Sequence, residues 1–341
     1  MPAKAPQKKI LPLFAPSRLF HLIALAASLH FSLVYIFVAR HMNDLHQYVA
    51  HTVEPPFLFR ILPYYLYCGF VQASEMAHLH LPLLNPPLNS QENWFMILLN
   101  LLALFTAIEC TASAIVKTTA LPALRWVALG LVLCVDYNSI LAINLSLYYT
   151  YDITSLAFFA LLTLCSLRCD YLSFALVLPW AMLNKETSAL AILLFFLLNV
   201  TRDRCQKLLV FSAAMSGLAC AVKYATIHLL PLPAPVTGTL VINQLSYNFH
   251  QLLNPLFWVS LVSLFGYLWI PLLLLWKEIP RRLRLTFASL FALWFAAMFY
   301  AGVLRELRVF SELSPLLLVA LASGLANRFP RLKQASGVEC A

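Results

Sequence analysis

Charge is what this chain has least of. Asp, Glu, Lys and Arg make up 11% of its 341 residues, against roughly 25% in an average soluble domain, while 62% are hydrophobic. So little polar surface cannot cover a water-soluble globule of this size, which excludes that class. Acidic residues are scarcer still: 14 stand against 23 Lys and Arg, for a formal balance of +9. On so sparse a set of charges, that excess suits one basic membrane face and no nucleic-acid partner. No heptad or fixed-period repeat is visible, and the two halves show no correspondence, so residues 1–341 read as a single transmembrane domain. Nor do the eight cysteines form a disulfide framework. Cys110, Cys134, Cys165 and Cys220 fall inside apolar runs, and Cys169, Cys205 and Cys340 sit beside basic clusters. Cys165 and Cys169 are one helical turn apart but lack a second ligand pair, so no zinc site is expected there.

What is present in abundance is apolar sequence of membrane-spanning length. A hydrocarbon core of about 30 Å needs about 20 helical residues. On that ruler the spans are Leu19 to Ala39, Trp94 to Val116, Leu124 to Ile143, Ile153 to Leu167, Leu208 to Leu230, Pro255 to Trp276, Leu285 to Val303 and Leu313 to Ala326. The first is too long for the apolar core of a cleaved signal peptide and ends in Arg40 and His41, so it is expected to be retained. Between residues 171 and 200 two shorter runs, Tyr171 to Leu183 and Thr187 to Val200, flank Asn184, Lys185 and Glu186. They read as a hairpin of short helices whose tip lies in or near the outer half of the membrane. The expected fold is therefore all-α: a polytopic transmembrane helical bundle of about ten helices, with both termini cytoplasmic.

Basic residues test that orientation, because cytoplasmic segments hold most of them. The tail of residues 1–18 and the segments around Lys117, Arg125, Arg168, Arg202 to Lys207, Lys277 to Arg284 and Arg328 to Lys333 carry 17 of the 23. The long connection 40–93 then lies outside, with Pro55, Pro56, Pro63, Pro82, Pro86 and Pro87 along it and an apolar middle, Phe57 to Ala73, suited to interfacial helices.

The informative ionisable groups are those on the outer side or at membrane depth, where charge is expensive unless paired or functional. They are Asp44, Glu54, Arg60, Asp136, Asp152, Lys185, Glu186, Lys223, Arg305, Glu306, Arg308 and Glu312. On a helix, His41, Asp44, Tyr48 and His51 fall within about 80° of one another. A carboxylate flanked by two imidazoles there reads as a general base, as a metal site, or as ordinary interfacial side chains. Arg60, a cation among aromatic and apolar neighbours, suits bidentate capture of a phosphate at headgroup depth or simple snorkelling. Lys185 and Glu186 place opposite charges side by side at the hairpin tip, which calls for a polar cavity. Helical spacing sets Arg305, Arg308 and Glu312 on one face, either as part of a site or as a local Arg308–Glu312 pair. Glu109, isolated within the second span, reads as a hydrogen-bonded packing residue or a protonated carboxyl.

Five stretches together resemble the C-type (GT-C) superfamily of polytopic membrane glycosyltransferases, in particular its small bacterial members without a soluble domain. They are the acidic first outer loop, Pro56 through Arg60 to Pro63, Tyr151-Asp152 opening a span, Asn184-Lys185-Glu186-Thr187, and Glu306-x-Arg308-x-Phe310-x-Glu312-x-x-Pro315. The resemblance implies a bacterial inner-membrane enzyme that takes a polyprenyl-phosphate-linked sugar on the extracytoplasmic side and transfers it with inversion to a glycan, lipid or protein acceptor. It implies Asp44 or Glu54 as catalytic base, the two standing ten positions apart. Arg60, Asp152, Lys185, Glu186, Arg305, Glu306, Arg308 and Glu312 would form the surroundings of the lipid phosphate. No cofactor is implied, with a divalent metal as the open alternative. The same materials also suit a transporter or lipid flippase with a charged site at the midplane, and more remotely a membrane-bound acyltransferase or a purely structural subunit.

Overall fold

The computed structural model describes residues 16–41, 45–49, 57–78, 90–141, 147–229 and 243–330. It is built from helices: α1 (Pro16–Val38), α2 (Leu45–Val49), α3 (Leu62–Met76), α4 (Ser90–Thr119), α5 (Gly130–Val135), α6 (Asp152–Arg168), α7 (Tyr171–Asn184), α8 (Leu190–Asn199) and α9 (Cys205–His228). They continue with α10 (Leu245–Leu252), α11 (Pro255–Val262), α12 (Trp269–Leu274), α13 (Arg281–Ala301) and α14 (Ser314–Arg328). One two-residue parallel pairing, Arg40–His41 with Leu147–Tyr148, ties the end of α1 to the segment before α6.

Among the described residues six helical segments are long and apolar enough to cross a membrane: Arg18–Val38, Gln91–Thr119, Pro122–Ile140, Arg202–His228, Arg281–Ala301 and Leu307–Arg328. The chain is a multi-pass helical membrane protein. The two short apolar helices expected at 171–200 are present as Tyr171–Asn184 and Glu186–Asn199. Prolines mark where helices begin: Pro63, Pro122, Pro255 and Pro315 all stand in first turns, where the missing N–H costs nothing. Inside the helices, hydroxyls have no water to bond and donate back one turn, as Ser32 does to Ser28 O, Thr111 to Ala107 O and Ser166 to Leu162 O.

Pro255–Trp276, expected as one span, is not one helix. Phe265, Gly266 and Tyr267 all adopt positive φ, so the helix breaks between α11 and α12. The break is held from outside, because the Phe265 N–H donates to Asn138 Oδ1 at 3.0 Å. A Cβ at Gly266 would come within 2.7 Å of Leu133 Cγ. Apolar composition alone does not reveal such an interruption, since the residues around it are as hydrophobic as any span.

The centre of the bundle is the segment Leu307–Arg328, of which 89% of the most apolar window is buried inside the protein. Leu316, Leu317 and Leu318 are consecutive and all fully buried, the pattern of a helix surrounded on every side. It packs on α4, α6, α12 and α13. Arg202–His228 is the opposite case at 11% buried, with its apolar surface turned outward. Helix α4, 30 residues long, packs along both α1 and α6.

Candidate functional site

Several helix ends meet at one end of the bundle, and each carries charge. Asp152 is the first residue of α6. Lys185 is the extended residue that ends α7 and starts the 3-10 turn Glu186–Ala189. Arg308 and Glu312 lie in the 3-10 segment Leu307–Leu313 that leads into α14. Arg60 follows the 3-10 turn Phe57–Phe59. Asn184 pins the tip of the hairpin in place: its amide oxygen accepts from Thr154 Oγ1 at 2.7 Å, and its nitrogen donates to Ser155 Oγ at 2.7 Å and to the Tyr151 carbonyl at 3.1 Å.

The charges form two linked sets. Lys185 Nζ lies 2.6 Å from Glu312 Oε1 and 3.5 Å from Asp152 Oδ1. Thr187 Oγ1 donates to the same Glu312 carboxylate at 2.9 Å. Arg308 bridges Asp152 and Glu306 through its two terminal nitrogens. Arg60 binds Glu186 with two nitrogens, at 2.6 and 3.3 Å. Aromatic rings pave the interior of this cluster. The Arg308 guanidinium sits 3.6 Å from the Tyr149 ring centroid, and Arg60 sits 4.3 Å from that of Tyr151. Lys185, Arg308 and Glu312 retain only 3%, 5% and 1% of their surface, so the ions are desolvated and depend on one another.

Three cations, Arg60, Lys185 and Arg308, are matched with four carboxylates, Asp152, Glu186, Glu306 and Glu312. Each of these carboxylates is committed to a cation, so the network supplies fixed charge and orientation rather than a free base. The tyrosines do not supply one either. Burial pushes the Tyr149 phenol up to about 12 against the lowering influence of Arg308, and Tyr151 is raised well above its ordinary value for the same reason. Burial disfavours the Arg60 charge, but Glu186, Tyr151 and Asp152 outweigh it and hold the guanidinium more firmly protonated than usual. Binding capacity is left over at three buried atoms with no hydrogen-bond partner among the described residues: Arg308 Nε and the hydroxyls of Thr150 and Tyr151.

The structure thus brings together Arg60, Asp152, Lys185, Glu186, Glu306, Arg308 and Glu312 from positions 60 to 312. Arg305 stands two residues before Leu307 in the turn after α13, half-buried and without an ion-pair partner among the described residues. Two local expectations are revised. Residues 305–312 are a turn followed by a 3-10 segment, so Arg305, Arg308 and Glu312 do not share one α-helical face, and Arg308 and Glu312 reach for different partners instead of each other. Asp44 and Glu54, with His51, lie outside the described residues, as do the side chains of His41 and His46; Tyr48 donates its hydroxyl to the Phe57 carbonyl at 2.9 Å. Glu109 is hydrogen-bonded as expected, with Oε1 2.6 Å from His21 Nδ1.

Sequence reasoning gave no role to several residues that build the site. Asn138 donates to Ser311 Oγ at 3.0 Å and ties the 3-10 segment to the broken helix. Asn248 on α10 donates to the carbonyls of Phe299 and Gly302 at 2.8 Å and accepts from the Leu304 N–H at 3.1 Å, which fixes the turn that carries Arg305. Glu92, at the start of α4, accepts the Leu45 N–H at 2.7 Å and anchors the first-loop helix α2. A polar residue inside an apolar run is a weak signal for each, and it does not name the partner. No protein-family model, no curated protein and no solved structure matches this chain.

Proposed function

We propose that the protein is an inverting glycosyltransferase of the GT-C kind that uses a polyprenyl-phosphate-linked sugar on the extracytoplasmic side of a bacterial inner membrane. In this reading about ten helices cross or enter the bilayer, with both termini in the cytoplasm. The observation that carries it is the convergence of seven charges, five of them buried and Glu186 and Glu306 half-buried, from distant segments on one end of the bundle, beside cationic and hydroxyl donors that still have capacity. The acceptor hydroxyl attacks the anomeric carbon, the bond from that carbon to the lipid phosphate oxygen breaks, and the phosphate leaves with the electron pair. The hydroxyl proton passes to Asp44 or Glu54. Arg305 meets the phosphate first, having no carboxylate partner among the described residues. Arg308 and Arg60, held in place by their carboxylate partners, present fixed guanidinium groups on that side, an arrangement that costs no reorganisation during reaction. A cleft of about 500 Å³ lined by Trp258, Trp269, Phe291 and Phe295 offers apolar room for an isoprenoid chain. Phe291 and Phe295 both pack on Phe310, next to Val309 and Arg308.

The test is transfer by the purified full-length protein in proteoliposomes loaded with polyprenyl-phosphate hexose and a panel of hydroxyl acceptors. A covalently altered acceptor is expected, lost in Asp44→Asn or Glu54→Gln and reduced at least tenfold in Arg305→Gln. A sugar lipid that crosses the membrane unaltered would replace this reading with transport.

A further inference from the structure

We propose that the opposite end of the bundle holds a second, separate site, which binds a phosphoryl group. Asp152 and Arg168 close the two ends of α6, about 24 Å apart at 1.5 Å per residue, so this end is remote from the ion network. A recess of about 500 Å³ opens there between the start of α1, the last turns of α4, the segment after it and the end of α6. Lys117, Arg125 and Arg168 line it, with His21, Glu109 and Ser113 completing its polar wall.

The charge is unbalanced by design of the surroundings. The one carboxylate lining the recess, Glu109, is engaged by His21 at 2.6 Å. None of the three cations has an ion-pair partner among the described residues. Arg125 leans on the Phe20 ring, its guanidinium carbon 5.9 Å from the centroid, which holds it against one wall. Arg168 is not needed to satisfy the carbonyls at the end of α6. Cys169 N–H and Asp170 N–H serve Ser166 O and Cys165 O, and Asn199 donates to Ser166 O as well. A concave wall of unpaired cations concentrates anions, and two guanidinium forks beside one ammonium match the oxygens of a phosphate monoester or diester. A lipid headgroup and a free phosphate share that chemistry.

The experiment uses the full-length protein in detergent and two probes. Retention of phosphatidic acid against phosphatidylcholine is read by native mass spectrometry, and inorganic phosphate is titrated against the thermal unfolding midpoint. Retention of phosphatidic acid alone assigns a headgroup, and a phosphate-dependent midpoint assigns the free anion; either supports the site. Affinity should fall on the order of tenfold in Lys117→Gln and again in Arg125→Gln, the scale of one lost charge-assisted hydrogen bond. Lys117 is exposed, so its substitution leaves folding intact. Arg202→Gln, another exposed basic residue away from the recess, should change nothing. Equal losses in Arg202→Gln and Arg125→Gln would overturn the proposal, as would no preference for phosphatidic acid together with no response to phosphate. Neither outcome depends on whether the first site transfers sugar.

Discussion

Lys185 decides whether the buried charges act as one unit. Its ammonium faces Glu312 at 2.6 Å and Asp152 at 3.5 Å. At an effective dielectric of about 20 these contacts are worth about 6 and 5 kcal/mol of gross attraction, set against several kcal/mol of desolvation for each ion. Lys185→Met removes the attraction and leaves Glu312 buried with only the Thr187 hydroxyl, so a loss of about 3–5 kcal/mol is expected. Adding Glu312→Gln discharges the stranded carboxylate. The double variant should therefore recover stability, ending about 1–2 kcal/mol below the starting protein with a coupling energy of about 2 kcal/mol or more. Unfolding of the purified protein in mixed micelles at rising sodium dodecyl sulfate, followed by circular dichroism, measures all four corners of the cycle. Single effects that simply add, within about 0.5 kcal/mol, would mean that Lys185 and Glu312 are neighbours without being partners.

Other positions probe the frame around the site. Asn184→Ala deletes three buried hydrogen bonds and should lower stability by about 2–4 kcal/mol, read as an earlier unfolding midpoint in the same micelles. Gly266→Ala forces a side chain into a positive-φ position 2.7 Å from Leu133 Cγ and should cost about 1–3 kcal/mol; a neutral result would argue against the break between α11 and α12. Arg60→Lys keeps the charge but gives up the two-nitrogen grip on Glu186 and the stacking on Tyr151. It should destabilise measurably in the same titration, whereas Arg328→Lys, at an exposed pair, should be nearly silent. In a cysteine-free background, a thiol at position 46 should react with a membrane-impermeant reagent from outside and one at position 282 only from inside; the reverse pattern would invert the proposed orientation.

Much of the candidate site was legible as composition. A lysine and a glutamate side by side at a helix break, or two arginines, two glutamates and a proline before an apolar run, stand out because hydrocarbon penalises charge. Their partners were not legible. Arg308 and Glu312 are four positions apart, and local helical geometry favours pairing them with each other. The 3-10 conformation of residues 307–313 and the approach of Asp152 and Lys185 from other helices redirect both. Likewise Phe265 and Gly266 carry no sign of the helix break, which is held by an amide on Asn138 more than 100 residues away.

What the sequence determined by itself is the solvent and the scale: residues this apolar, in runs of this length and with so few charges, must lie in a bilayer as helices, because no other local structure satisfies the backbone there. What only the tertiary structure decided is which charge neutralises which, since an ion pair between helices depends on distances that sequence separation does not encode. Hydropathy is a property of each segment, whereas the match of Lys185 with Glu312, and of Arg308 with Asp152, is a property of how α6, the hairpin and α14 pack.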